Sequence, residues 1–522
     1  MGNPLEKSIQ NHINIVAIRR LTANNRRNNS AKRKTSHLNK PFSTPSYSYN
    51  KNQPEYWAEN LHNPQYVLKK INFLSIEAAK KISDFKYTFS KPVHRRVPKH
   101  NNKYRDIYIY NIIDEAVSLH FFTELSKKNS VKFSRNSYAY RSDASPHDAV
   151  TFISEEFRGH KRLFIAEFDF TNYFDSISHA YIKKIINSPR FHVTNSEKDV
   201  IFNYIKTSRF AEKQKGIPQG SALSLFIANL ALANLDYAFE KLNISFVRFA
   251  DDILIWSDSY EAVTKAVEKI LIWCEESGVS ISPQKSHGIR ILSNTPDLSH
   301  EMPHTDFITF LNHDFYLDKT RISEKSISII KDKVQKNIYQ ILLNAPMHRR
   351  QELSRLNSQK YGLIDKDYIS LIFSLRRLIY SNLNESRIRY FLRDTSSNLP
   401  LMPLGGILPY FAGATDTDQI HDLDRWVLQS IYKAIKKRKR ILTQVLANTE
   451  IWDEYPKLWD LPIDEVSNYI IYPVIKSNST ETINLTIPSF LRYHKVVNKF
   501  VKIHGSAVLV FDKNFSAQIE LY

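Results

Sequence analysis

The sequence predicts an α+β fold, with a sheet built on a split βαβ pattern and a largely helical C-terminal region. Three observations predict it. Between about residues 60 and 320, apolar runs of strand length alternate with segments of helical periodicity. Two of the strand-like runs meet at Ala250-Asp251-Asp252 in "FVRFADDILIW" and read as a hairpin. Beyond about residue 320 the pattern turns helical, as in "EKSISIIKDKVQKNIYQILL" and "DLDRWVLQSIYKAIKKRKRIL".

Along the chain, residues 1–60 come first. Within the first forty, Lys7, Arg19, Arg20, Arg26, Arg27, Lys32, Arg33, Lys34 and Lys40 face only Glu6. That charge run is expected to be a basic, flexible segment, either a solvated tail or a nucleic-acid arm. In residues 61–320, "RLFIAEFDF" (Arg162 to Phe170) reads as a strand, followed by a helix around His179 to Asn187. A long helix is expected from about Ser221 to Leu242, then the Asp-Asp hairpin. A helix at about Tyr260 to Ser277 precedes the strand-like "GVSISPQKSHGIRIL". This strand-helix-strand-strand-helix-strand order is the split βαβ signature, with helices on one face. Residues 321–522 complete the chain as a mostly helical region with β-leaning pieces near its end.

At 522 residues the chain is long enough for two or three domains. Its net charge is +20, from 73 Lys+Arg against 53 Asp+Glu, which favours a polyanionic partner such as RNA or DNA. No apolar run is read as a membrane span, and the Asn- and Arg-rich N-terminus lacks a signal peptide's apolar core. The single cysteine, Cys274, excludes an intramolecular disulfide and a cysteine-based zinc site. A reducing, cytoplasmic location is expected.

Asp251 and Asp252 interrupt an apolar run, and a second apolar strand ends in Asp169. Carboxylates gathered together repel one another unless a cation neutralises them. Hard divalent ions prefer oxygen ligands, and Mg²⁺ takes one or two carboxylates plus phosphate oxygens. Two such ions ~4 Å apart activate a hydroxyl and stabilise a leaving pyrophosphate. Asp175 is read instead as a cap or turn acid. Between the acids lies "KGIPQGSALS", with Gly216 and Gly220 among only eleven glycines in the chain. Glycine permits close approach or a positive φ there, and Ser221 is placed to cap the following helix.

These segments together resemble the reverse transcriptase family. Asp169 with Phe174, "PQGSALS", "FADD" and "GVSISPQKS" stand in the order of its motifs A to D. Upstream, "KYRDIYIYNIID" and "NSYAYRSDASPHDAV" are similar to the fingers motifs. Downstream, "FITFLNHDF" is similar to motif E, with Asn312 in place of its glycine. The likeness covers about residues 90–320 and implies a right-hand polymerase with fingers and palm, the palm being the split βαβ sheet, followed by a helical thumb and C-terminal region. It implies that Asp169, Phe170, Asp251 and Asp252 form the sites of two Mg²⁺ ions, or Mn²⁺ in their place. Phe174 would exclude a ribose 2′-hydroxyl and so select dNTPs. Gln219 and Gly220 would shape the nucleotide pocket. Lys103 and Arg105 would meet the triphosphate and Arg141 the nucleic acid, since guanidinium forks match phosphate oxygens. Lys285 would donate a proton to pyrophosphate or screen its charge.

Phe249 in motif C, the basic N-terminus and the helical extension resemble bacterial abortive-infection and defence-associated reverse transcriptases, relatives of the group II intron and retron enzymes. Some of that group prime from a protein tyrosine. Tyr47, Tyr49, Tyr56 and Tyr522 are the candidates here, with ordinary loop or packing tyrosines as the alternative. An RNA-dependent RNA polymerase would more often show Gly-Asp-Asp, and an inactive palm would be expected to lose an acid. Template dependence and assembly into a homo-oligomer stay open.

Overall fold

The computed structural model describes residues 3–98, 104–141, 143–207, 209–284, 286–294, 302–356, 365–395, 399–446, 456–471 and 483–510. Two compact units are present. The first comprises residues 1–29, 51–149 and 160–306; the second comprises 30–50, 150–159 and 307–522.

In the first unit, β1 (Val93–Pro98) and β2 (Tyr104–Ile109) form an antiparallel hairpin. The central sheet contains β3 (Arg162–Phe168), followed in the chain by the short β4 (Phe170–Thr171) outside it. Next come β5 (Ser245–Phe249) and β6 (Asp252–Ser257), then the short β7 (Ser280–Ile281), then β8 (Ile289–Ser293) and β9 (His304–Thr305). The sheet order is β5-β6-β3-β8-β9, antiparallel except for β8 with β9. β4 pairs separately with β7. The Tyr260–Ser277 helix lies against β3 and β6, and the Ala222–Lys241 helix packs on it and on the Ile112–Asn129 helix. Mixed helix and sheet in this order is the fingers-and-palm arrangement expected from the sequence.

Two expectations are corrected. Residues 4–39 are a helix rather than a flexible tail. Ile9, Ile13, Val16 and Ala17 recur at helical spacing and are fully buried in the first unit's core, while Arg19, Arg26 and Arg27 stay exposed. Arg20 donates to the Tyr110 carbonyl at 2.6 Å and pairs with Glu115. Second, the Ala222–Lys241 helix is long and apolar enough to cross a membrane by length and composition, although no such run was read in the sequence. Its side chains are mostly buried within the first unit, against the sheet's helices.

The second unit carries a three-stranded sheet of β10 (Ile308–Phe310), β11 (His313–Phe315) and β12 (Thr320–Ile322). Leu311 and Asn312 join β10 to β11 with φ of 47° and 62°, the paired left-handed conformations of a two-residue hairpin turn. Asparagine tolerates that conformation, which accounts for Asn312 where motif E has glycine. Long helices follow, among them Lys366–Tyr380, Thr417–Leu446 and Phe490–His504, around one apolar core. Buried within it, Arg438 bridges Asp365 and Asp367 at 2.6 and 2.8 Å.

Candidate active site

The register of two strand pairs builds the site. β3 and β6 set Phe168 opposite Ile253, and β5 and β6 set Phe249 opposite Asp252. Phe168 and Ile253 are the last facing pair of β3 and β6, so Asp169, the residue after Phe168, and Asp252, the residue before Ile253, both adjoin the end of that pairing, with Asp251 in the adjoining turn. Facing residues of antiparallel strands have Cβ atoms about 4.5–5.5 Å apart. Strand pairing therefore ends beside all three acids. All three are half-buried. Ala250 turns the chain between β5 and β6 with φ of 58°, a conformation that costs energy for a residue bearing a Cβ. The backbone of Asp169 is held by the segment after the Tyr260–Ser277 helix. Its carbonyl accepts from the Ser282 N–H at 2.8 Å, and its N–H donates to Ser286 Oγ at 3.3 Å.

The glycine loop is fixed from both sides. The Ile217 N–H donates to the Phe174 carbonyl at 2.6 Å, and the Gly216 N–H to the Ile177 carbonyl at 2.8 Å. On the other side, the Tyr108 N–H of β2 donates to the Gln219 carbonyl at 2.7 Å. Gly220 has φ of +122°, and a Cβ there would lie 2.5 Å from the Tyr108 carbonyl oxygen and 3.1 Å from Ile107 Cγ2. No other residue permits that approach without a shift in β2. Phe174 sits beside the loop, 8% exposed, with its ring edge-on to Tyr173. Asp175 lies in the first turn of the short Tyr173–Ser176 helix.

With the geometry in place, the chain can be set beside known proteins. Residues 97–315 match the family described as reverse transcriptase (RNA-dependent DNA polymerase). Over those residues the chain is similar to a reverse transcriptase domain. Its relatives include Protein YkfC of Escherichia coli strain K12, 25% identical over 172 residues, which span 32% of this chain and 45% of that protein. Group II intron-encoded protein LtrA of Lactococcus lactis subsp. cremoris is 28% identical over 165 residues, 31% of this chain and 27% of its own length. The chain thus spans less than half the length of these curated relatives. Telomerase from Candida albicans, solved with a fragment of telomeric RNA, superposes over 75% of this chain and 68% of its own. At 12% identity and a TM-score of 0.34, that likeness carries no weight.

Other expected residues take varied places. Phe170 is buried in β4 with its ring 4.9 Å from Trp273. Arg105 lies on β2 opposite Val97, half-buried. Lys103 and Lys285 lie outside the described residues, as does Tyr522. A cavity of about 750 Å³ opens beside the β1–β2 hairpin, lined by His94, Tyr108, Lys91 and Lys206 and by none of the three acids. Arg141 is engaged in its own loop, donating to both Asp143 carboxylate oxygens at 3.0 and 2.6 Å and to the Ser134 carbonyl at 2.6 Å. These bonds order the loop around Arg141.

Ser221 does not cap its helix through its side chain. Ser118 does so from the Ile112–Asn129 helix, its Oγ accepting from the Leu223 N–H at 2.8 Å. Tyr47 and Tyr56 are not on free tethers. In the second unit, Tyr47 is hydrogen-bonded through its backbone to Asn39 and through its hydroxyl to Asn344 at 2.5 Å. In the first unit, Tyr56 packs edge-on to His62 with Arg95 5.7 Å from its ring centre. Tyr49 is half-buried.

Sequence reasoning missed Arg248, Asp236 and Asn229, which are buried and bonded together behind the Asp251–Asp252 turn. The available signal was the arginine inside "FVRFADD", since a charge in a buried strand demands a partner. Burial opposes the Arg248 charge and Asp236 more than offsets it, so the guanidinium pKa is raised. Burial also pushes Asp236 upward, against the pull of Arg248. The two-pronged contact, one guanidinium nitrogen to each carboxylate oxygen, is that of an ionised pair.

Proposed function

We propose that the chain is an RNA-directed DNA polymerase that adds deoxynucleotides to a hydroxyl end through Asp169, Asp251 and Asp252. The observation that carries this reading is the strand register that pairs Phe168 with Ile253 and Phe249 with Asp252, leaving Asp169 and Asp252 as the next residues in line at one end of the sheet. Among the described residues, no three histidine, cysteine, aspartate or glutamate side chains are arranged to hold a metal by themselves. Mg²⁺ takes one or two carboxylates and completes its shell with water and substrate phosphates. The acids are hard oxygen donors on adjoining strand ends, so they fit the ion. When bound, two such ions supply a deprotonated attacking hydroxyl and charge stabilisation on the departing pyrophosphate.

The chain's own residues do the rest. Gln219 and Gly220, anchored on Tyr108, shape the wall of the nucleotide pocket. Phe174, held by its neighbours at 8% exposure, is a fixed obstacle to a ribose 2′-hydroxyl. Lys103 and Arg105 receive the triphosphate, and Lys285 serves the pyrophosphate. A net charge of +20 supports RNA and DNA as partners. On the resemblance at Phe249 and in the helical extension, we place the enzyme with the defence-associated branch, in which phage challenge is met by DNA synthesis.

Purified full-length chain is incubated with dNTPs and Mg²⁺, with and without a defined RNA carrying an annealed DNA primer, and the products are sequenced. DNA complementary to the RNA is the expected product. DNA unrelated to any added RNA would replace this reading with template-independent synthesis. Nuclease treatment followed by peptide mass spectrometry tests the tyrosines as primers, and phage plating on cells carrying the chain tests the defence role.

A further inference from the structure

Arg248 has no solvent exposure, and neither has its partner Asp236. Its Nε and Nη2 donate to the two Asp236 carboxylate oxygens at 2.7 and 2.5 Å. Nη2 also donates to Asn229 Oδ1 at 2.8 Å, and Nη1 donates to the Ala250 carbonyl at 3.0 Å. Asp236 and Asn229 both belong to the Ala222–Lys241 helix, which leads out of the glycine loop. The Arg248 backbone is fixed as well: its N–H donates to the Asn136 carbonyl, and its carbonyl accepts from the Tyr138 N–H, both at 2.9 Å. One planar side chain therefore ties a rigid helix to the carbonyl of Ala250, the residue immediately before both acids. Ala250 is the residue that needs holding, since its φ of 58° is disfavoured.

We propose that Arg248 is a positioning residue for polymerisation: it clamps the left-handed Ala250 turn to the Ala222–Lys241 helix and so fixes where Asp251 and Asp252 project. The inference rests on the assignment of those acids given above. Arginine is required because its donors leave one plane in several fixed directions. A lysine ammonium reaches Asp236 as a point charge without also spanning Asn229 and the Ala250 carbonyl.

The test uses the full chain with Arg248→Lys and, as a milder change that keeps the ion pair, Asn229→Ala. Amide hydrogen exchange over residues 249–253 is compared with exchange over the Tyr260–Ser277 helix. Steady-state kcat, KM for dNTP and nucleic-acid affinity without metal are measured beside it. In Arg248→Lys, exchange at 250–252 should quicken at least tenfold with the helix unchanged, and kcat should fall at least tenfold. KM and nucleic-acid affinity should stay within twofold. Asn229→Ala should move the same readouts in the same direction by less, and it decides the matter if Arg248→Lys does not fold. A folded variant with turn exchange and kcat within twofold of the parent overturns the proposal, as does equal quickening in the turn and the helix. If Asp251→Asn retains activity, the assignment of the acids fails, while the exchange data still show whether Arg248 holds the turn. If Asp251→Asn is inactive and folded Arg248→Lys behaves as the parent, only the role of Arg248 fails.

Discussion

At Gly220 a single methyl group would sit 2.5 Å from the Tyr108 carbonyl oxygen, in a backbone conformation of φ +122°. Gly220→Ala is expected to cost about 1–3 kcal/mol in stability and to displace the pocket wall. Denaturant unfolding beside a dNTP KM measurement checks it. Phe174→Val removes ring volume next to the same loop, so it should raise ribonucleotide incorporation relative to deoxynucleotide. Competition between the two in one primer-extension assay reads this directly, and an unchanged ratio in a folded variant places the gate elsewhere. Residue-scale legibility depended on whether a side chain's reason for being there lies in its own segment. Asp251 and Asp252 stand out in the sequence because they break an apolar run. Gly216 and Gly220 were legible because glycine is scarce in this chain. The role of Arg248 was not, because its partners Asp236 and Asn229 lie twelve and nineteen positions away on a helix. Ser118 supplying a cap that Ser221 was expected to make is the same kind of miss, across 105 positions.

Among the elements, the strands and helices of the palm followed their apolar periodicity closely, and the Tyr260–Ser277 helix has the bounds read from the sequence. The Pro4–Asn39 helix did not show itself, because a narrow stripe of Ile9, Ile13, Val16 and Ala17 is diluted by cations and asparagines. Its order comes from tertiary packing rather than from intrinsic propensity. Ile13→Ala should therefore destabilise the first unit by about 2–5 kcal/mol, whereas a flexible tail would tolerate it without change. Urea unfolding of the full chain separates these outcomes. In the second unit, burial lowers the pKa of His494, on the Phe490–His504 helix, to about 4. The unfolded chain then binds the extra proton first as pH falls, so stability present above pH ~6.5 is lost between there and about 4. Thermal melts across that window should show the loss, and His494→Gln should flatten it.

For the whole molecule, charge and motif order were readable from sequence, and the compact units follow packing rather than chain order. The expected division fell at residues 60 and 320. In the structure, residues 30–50 and 150–159 join the C-terminal unit, because chain order does not dictate which core a segment packs into. Phe42 and Tyr47, for example, bond to residues beyond 340 within that unit. Neither fact bears on the central claim, that DNA synthesis runs on carboxylates gathered by the register of β3, β5 and β6. The measurement closest to that claim compares the parent chain with Asp251→Asn/Asp252→Asn. Both are assayed for Mg²⁺-dependent dNTP incorporation on a primed RNA, alongside melting temperature and affinity for the same RNA. Incorporation in the double variant is expected to fall at least a thousandfold, about 4 kcal/mol of barrier, while fold and RNA affinity persist. A folded double variant that still incorporates dNTPs at the parent's rate would contradict it.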